Sequence, residues 1–214
     1  MTRLETPPDA VGESTRPLSI LAVAGSLRRD SHNKALLRAT SKLAPEGVTI
    51  GVFEGLEAIP VFNQDLEGVD GDPPGVIELR RALERADGLL IATPEYNQSV
   101  PGVVKNMVDW LSRGDPEQGL TGRPVAVIGA STGQWGTRIA QTLLRQMLLS
   151  AQALVLPHPT LFVARVEALL DAGGELADQE TLGRLQEVVT AFADWIRLVS
   201  PLAVAGRAAP GVMS

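Results

Sequence analysis

LSILAVA at Leu18–Ala24 runs straight into GSLRRDSHN at residues 25–33. The first seven residues carry no charge and only one hydroxyl, as expected of a strand covered on both faces. A glycine, Gly25, then opens a loop that holds Ser26, Arg28, Arg29, Ser31, Asn33 and Lys34. A helix follows, with Leu36, Ala39, Thr40 and Leu43 on one face, and Pro45-Glu46-Gly47 ends it. A helix N-terminus presents unpaired amide donors and a partial positive charge, so acidic residues usually settle there. Here Arg28, Arg29 and Lys34 face Asp30 alone. Cations at the positive end of a helix are unfavourable unless a bound anion offsets both. The plainer alternative is an ordinary cap made by Ser31 or Asp30, with the arginines solvated. The group as a whole reads as a phosphate cradle.

Outward from this unit the same alternation continues. Val48–Phe53 is a second strand, and residues 55–75, rich in Gly, Pro and Asp, read as an irregular loop. A helix is expected over 74–86 and a strand over 88–93 (GLLIAT). Val104, Met107, Val108 and Leu111 share a face of the third helix, with Pro101 near its first turn. Pro124–Ala130 (PVAVIGA) is the fourth strand, and Ala140, Leu143, Leu144, Met147 and Leu148 mark the fourth helix. Residues 153–156 form a short fifth strand closed by Pro157, and Leu182, Leu185, Val189, Phe192 and Ile196 line a last helix. Residues 1–17 read as a mobile arm and 200–214 as a loose tail, leaving one domain over 18–199.

Strands alternating with helices through right-handed crossovers give an α/β fold with a parallel sheet wound on both faces. Ligands on such sheets sit outside the carboxyl ends of the strands. That rule selects the loops after Ala24, Thr93 and Ala130. In the second loop Tyr96 is the only tyrosine of the chain, and an aromatic with a polar tip suits a flat heterocycle at such an edge. In the third, Ser131, Thr132, Gly133 and Gly136 let the backbone approach a planar ligand. Trp135 either covers that ligand or belongs to the core or a subunit contact.

Composition narrows the chemistry. The net charge of −6 argues against nucleic acid or an anionic membrane as the main partner. There is no cysteine, which removes thiolate catalysis, disulfides and cysteine-ligated metals. The two histidines, His32 and His158, lie in different segments, so a histidine metal site is not expected. No stretch is long and apolar enough to span a bilayer, and the default compartment is the cytoplasm. The first loop fits neither G-x-x-x-x-G-K-[ST] nor G-x-G-x-x-G. A monophosphate ligand suits it best.

The three loops together resemble the NADPH-dependent FMN reductase family of flavodoxin-like proteins, which includes chromate, quinone and azo reductases. GSLRRDSHN matches the family's G-S-x-R-x-x-S-x-N motif at Gly25, Ser26, Arg28, Ser31 and Asn33. TPEYNQSVPGVVKNMVDWLSR at residues 93–113 resembles the second family segment, and GASTGQWG at 129–136 is a looser match. The resemblance spans residues 18–199 and implies a five-stranded sheet of order 2-1-3-4-5 that binds FMN non-covalently. It implies that Ser26, Arg28, Ser31 and Asn33 hold the phosphate, with His32 in the same cofactor-contacting loop. Pro94, Glu95, Tyr96 and Asn97 would line the isoalloxazine ring, and Ser131, Thr132 and Gly133 would close the other side. Thr137 stands where many members have a second glycine, and Ile139 where many have an arginine.

The expected activity is ping-pong transfer of hydride from NADPH or NADH to FMN, then to a quinone, azo compound, flavin or chromate-like metal ion. No catalytic side chain and no metal are called for, because the chemistry belongs to the cofactor. A homodimer or homotetramer is implied, with the helix after Pro94–Asn97 in the contact. The competing readings are an FMN electron carrier serving protein partners and a non-redox phosphate-ester module.

Overall fold

The computed structural model describes residues 16–68, 71–113 and 119–208. Six strands, all parallel, fill five positions of one sheet: β1 (Leu18–Ala24), β2 (Val48–Phe53), β3 (Gly88–Ala92), β4 (Pro124–Ala130), β5 (Leu154–Val155) and β6 (Leu161–Val163). Their order is β2-β1-β3-β4-β5, with β6 also paired to β4. This is the flavodoxin-like arrangement. Five helices cover the sheet: α1 (His32–Lys42), α2 (Pro74–Glu84), α3 (Gly102–Leu111), α4 (Arg138–Ser150) and α5 (Gln179–Ala208).

Alternation within the central strands explains why they are apolar throughout. Ile20, Ala22, Leu90, Ala126 and Ile128 pack on one side with Leu36 and Leu37 of α1 and Leu185, Phe192 and Ile196 of α5. Leu21, Val23, Leu89, Ile91, Val125 and Val127 pack on the other with Leu79 of α2, Met107 and Leu111 of α3, and Leu144 and Leu148 of α4. Both pleat faces are therefore dry, and a polar residue on either would be buried without a partner.

The structure departs from the expected elements in three places. The fifth strand is split: β5 pairs with the start of β4 (Pro124 and Val125), and β6 pairs with its end (Ile128 to Ala130). Pro157 and Pro159 separate the two pieces, and neither can donate to a ladder. Residues 55–68 contain two 3₁₀ turns, Leu56–Ala58 and Gln64–Leu66, and α3 straps the segment down. Asn106 accepts from Phe62 N–H at 2.7 Å and donates to Pro60 O at 2.9 Å, while Trp110 Nε1 donates to the same carbonyl at 2.9 Å.

The third departure is at the C-terminus. Helical backbone of α5 continues to Ala208, past the boundary expected at 199. Leu202 to Ala205 are helix-compatible residues that extend the preceding turns. Residues 209–214 lie outside the described residues, as does nearly all of the expected arm at 1–17. Arg16 and Pro17 are described, and Arg16 bonds Asp87 at 2.5 Å.

Candidate functional site

The three expected loops meet at the carboxyl edge of β1, β3 and β4. Gly25 starts the first, its N–H held by Ala92 O at 2.8 Å. A Cβ at Gly25 would stand 2.4 Å from Val104 Cγ2 and 3.2 Å from Pro94 Cδ. The glycine is needed for the loop to lie against α3 and the second loop, a closer approach than any side chain allows.

Ser26 and Ser31 are buried, at 4% and 5% exposure, while Arg28, Arg29 and Asp30 project into solvent. Ser26 Oγ accepts from Arg28 N–H at 3.4 Å and lies 3.2 Å from the Tyr96 hydroxyl. Ser31 occupies the N-cap position of α1, yet its hydroxyl caps nothing, and the first turn has no acidic residue. Among the described residues Arg28 and Arg29 have no carboxylate partner. The first-turn amides of α1 have no partner within the helix. Buried hydroxyls, free amides and unpaired guanidinium groups form a donor set of the kind a phosphate monoester accepts from. This is the observation on which FMN fits the site.

Two expected cofactor residues also make contacts within the protein. The Asn33 carboxamide, 2% exposed, is committed to the last residue of β4: Nδ2 donates to Ala130 O at 3.0 Å and Oδ1 accepts from Ala130 N–H at 2.9 Å. Its backbone amide is what remains at the helix end. His32 lies with Nε2 3.9 Å from the Glu167 carboxylate, at the 3₁₀ turn Val166–Leu169.

The second loop is a tight hairpin. Tyr96 and Ser99 exchange backbone bonds of 3.2 and 3.0 Å, and the residues between them, Asn97 and Gln98, take φ of 50° and 57°. Two successive left-handed residues make the turn that follows strand twist, which asparagine tolerates and glutamine does not favour. The turn holds the Tyr96 ring half-exposed beside Ser26. Pro94 is buried. Glu95 reaches instead to α4, where Oε2 accepts from Ile139 N–H and Ala140 N–H, both at 2.9 Å.

In the third loop Ser131 Oγ accepts from Gly133 N–H at 3.1 Å, and Thr132 and Gly133 are exposed. Arg165, in a left-handed conformation at φ 47°, donates its N–H to Gly133 O at 3.1 Å. Trp135 is 70% exposed, so it is not a core residue. Gly129 is needed on β4, since a Cβ there would stand 2.3 Å from both Thr93 O and Thr137 Oγ1.

Sequence reasoning brought the three loops together but missed the Glu95 contact with α4 and the part of Arg165. One local sign was available for the first. Helix α4 has no acidic residue in its first turn and no cap from its own Thr137, so an acceptor had to come from elsewhere.

Comparison with known proteins places this chain in a family. The NADPH-dependent FMN reductase family model matches residues 18–168. The chain is 39% identical over 180 residues to an NAD(P)H-dependent FMN reductase of Pseudomonas aeruginosa, covering 84% of this chain and 96% of that one. It is 39% identical over 181 residues to a 2-hydroxy-1,4-benzoquinone reductase of a Burkholderia species, covering 84% and 97%. It is 37% identical over 183 residues to a quinone reductase of Escherichia coli K12, covering 85% and 97%. Among solved structures, FerB of Paracoccus denitrificans, a flavoenzyme NAD(P)H:(acceptor) oxidoreductase, superposes with a TM-score of 0.77 at 34% identity, covering 85% of this chain and 98% of FerB. The chain thus belongs to the NADPH-dependent FMN reductase family, as an oxidoreductase that uses FMN and NAD(P)H.

Proposed function

We propose that this reductase passes electrons from NAD(P)H to quinones through FMN held at the three loops. The observation that carries the reading is the uncompensated positive turn at the start of α1, beside the half-exposed Tyr96 ring. Bound FMN supplies the two-electron redox chemistry, in a ping-pong order in which the spent nicotinamide leaves before the acceptor enters. Ser26, Ser31 and Arg28 take the phosphate, together with the first-turn amides of His32 and Asn33. Pro94, Tyr96 and Asn97 border the ring on one side, and Ser131, Thr132 and Gly133 on the other. Donors of these loops orient the ring and favour negative charge on it.

Quinones head the acceptors because two of the similar proteins are named as reductases of quinones. Azo compounds, free flavins and chromate-like ions form the wider set. A cytoplasmic homodimer or homotetramer belongs to the same proposal. Among the described residues no helix is long and apolar enough to cross a membrane.

The test is an initial-velocity study of FMN-loaded protein with NADPH or NADH and 1,4-benzoquinone. Parallel double-reciprocal lines are expected. Intersecting lines contradict the ping-pong order, and absence of quinone turnover contradicts the acceptor class.

A further inference from the structure

We propose that Glu95 is a positioning residue: by holding the N-terminus of α4 it fixes the α4 end of the segment that begins at Ser131 and, together with the bonds to residues 163–166, sets the spacing of that segment from the Tyr96 hairpin. The inference rests on the reading of these loops as the FMN site, and it gives Glu95 a place other than ring contact.

The argument starts from what α4 lacks. Thr137 stands at its N-cap with φ −119° and ψ 36° and makes no side-chain cap bond. Its hydroxyl instead accepts from Gln141 Nε2 at 2.9 Å. The amides of Ile139 and Ala140 go to Glu95 Oε2, 44 and 45 residues earlier in the chain. A carboxylate at this point satisfies two orphan donors and opposes the positive end of the helix.

Residues 131–137 join β4 to α4, with local bonds from Gly133 N–H to Ser131 Oγ and from Gly136 N–H to Gly133 O. The start of the segment is also tied to residues 163–166 by Ser131 N–H to Val163 O, Arg165 N–H to Gly133 O and Val166 N–H to Ser131 O. One end of that segment is fixed by the sheet and by residues 163–166. The other is fixed by α4, and so by Glu95. The residue holding α4 lies between Pro94 and Tyr96, in the loop on the opposite side of the slot. The backbone of the second loop thus carries a clamp on the far end of the third.

Three substitutions separate the possibilities. E95Q keeps a carbonyl oxygen at the right reach. E95D withdraws it by one methylene, and E95A removes it. The probes are FMN, riboflavin (ring without phosphate) and inorganic phosphate, with binding read by flavin absorbance and fluorescence anisotropy and, for phosphate, by competition against FMN. R28A serves as the phosphate-end control.

E95D and E95A are expected to weaken FMN and riboflavin alike by about tenfold, the scale of a lost helix cap. They should lower the anisotropy of the bound ring and leave phosphate competition unchanged. E95Q is expected to retain most of the ring affinity, whereas R28A weakens FMN and leaves riboflavin unchanged. Wild-type riboflavin affinity and anisotropy in E95D and E95A, with FMN weakened in R28A, would overturn the role of Glu95 alone. FMN affinity unchanged in R28A and in the Glu95 variants would overturn the site reading and this inference together. If E95A does not fold, the contrast of E95D with E95Q decides the matter.

Discussion

Asn33, in the first turn of α1, exchanges two hydrogen bonds with the backbone of Ala130, 97 residues away at the end of β4. Its carboxamide meets the strand end as a neighbouring peptide would, and it ties the start of α1 to the start of the third loop. With the Ser26–Tyr96 contact and the Glu95 clamp on α4, each of the three loops is joined to the other two.

Asn33→Ala strips both partners from a buried N–H and C=O. A loss of about 2–3 kcal/mol is expected, since stranded buried polar groups cost roughly 1–3 kcal/mol. Urea unfolding monitored by tryptophan fluorescence measures it. A midpoint matching wild type would show that water replaces the carboxamide at no cost.

Among the described residues Arg145 on α4 makes one bond, Nη1 to Leu156 O at 2.6 Å, while Nε and Nη2 are buried without partners. Burial pushes its guanidinium pKa down, the sign of an ion that would be better solvated in the unfolded chain. Arg145→Met keeps the aliphatic packing and removes the desolvated charge, so a gain of about 1 kcal/mol is expected. Thermal melts at pH 7 test it, and a lowered melting temperature would mean the single bond to Leu156 outweighs desolvation.

Glu175 accepts from Arg38 Nε at 2.6 Å and Lys42 Nζ at 3.1 Å, joining the segment before α5 to α1. Those bonds, Arg38 first, hold its carboxyl below the ordinary 4.5. A carboxylate depressed in the folded state contributes stability that is present above the unfolded value and lost as pH falls through the folded one. The melting temperatures of wild type and Glu175→Gln should therefore differ at pH 7 and converge as pH drops from 4.5 through the lower folded value. A gap constant across that window would show that the ion pairs contribute nothing.

What the sequence disclosed followed from burial. Leu18–Ala24 and Pro124–Ala130 are legible because both pleat faces are covered and polar residues are excluded. The edge strand was harder, since two prolines interrupt it and β6 has only three residues, too few for any period. Loop content also marked the candidate site, because three cations set against Asp30 alone at a helix start conflict with the local electrostatics. The partners of Asn33 and Glu95 were not legible. They are 97 and 44 residues distant, and although the acid-free first turn of α4 signals a need for an acceptor, nothing local says which distant side chain meets it. For Trp135, two readings remained until its exposure of 70% removed the core alternative.

The central claim, that FMN at these loops carries electrons from NAD(P)H to a quinone, is tested most directly by an anaerobic single turnover. FMN-loaded protein is mixed with one equivalent of NADPH, the flavin absorbance near 450 nm is followed, and benzoquinone is then added (~450 nm is the ordinary oxidised-flavin band; the cofactor chemistry is its own). The account predicts bleaching on NADPH and full recovery on quinone, with no partner protein present. Absorbance unmoved by NADPH and NADH alike, in protein shown to hold FMN, would contradict it.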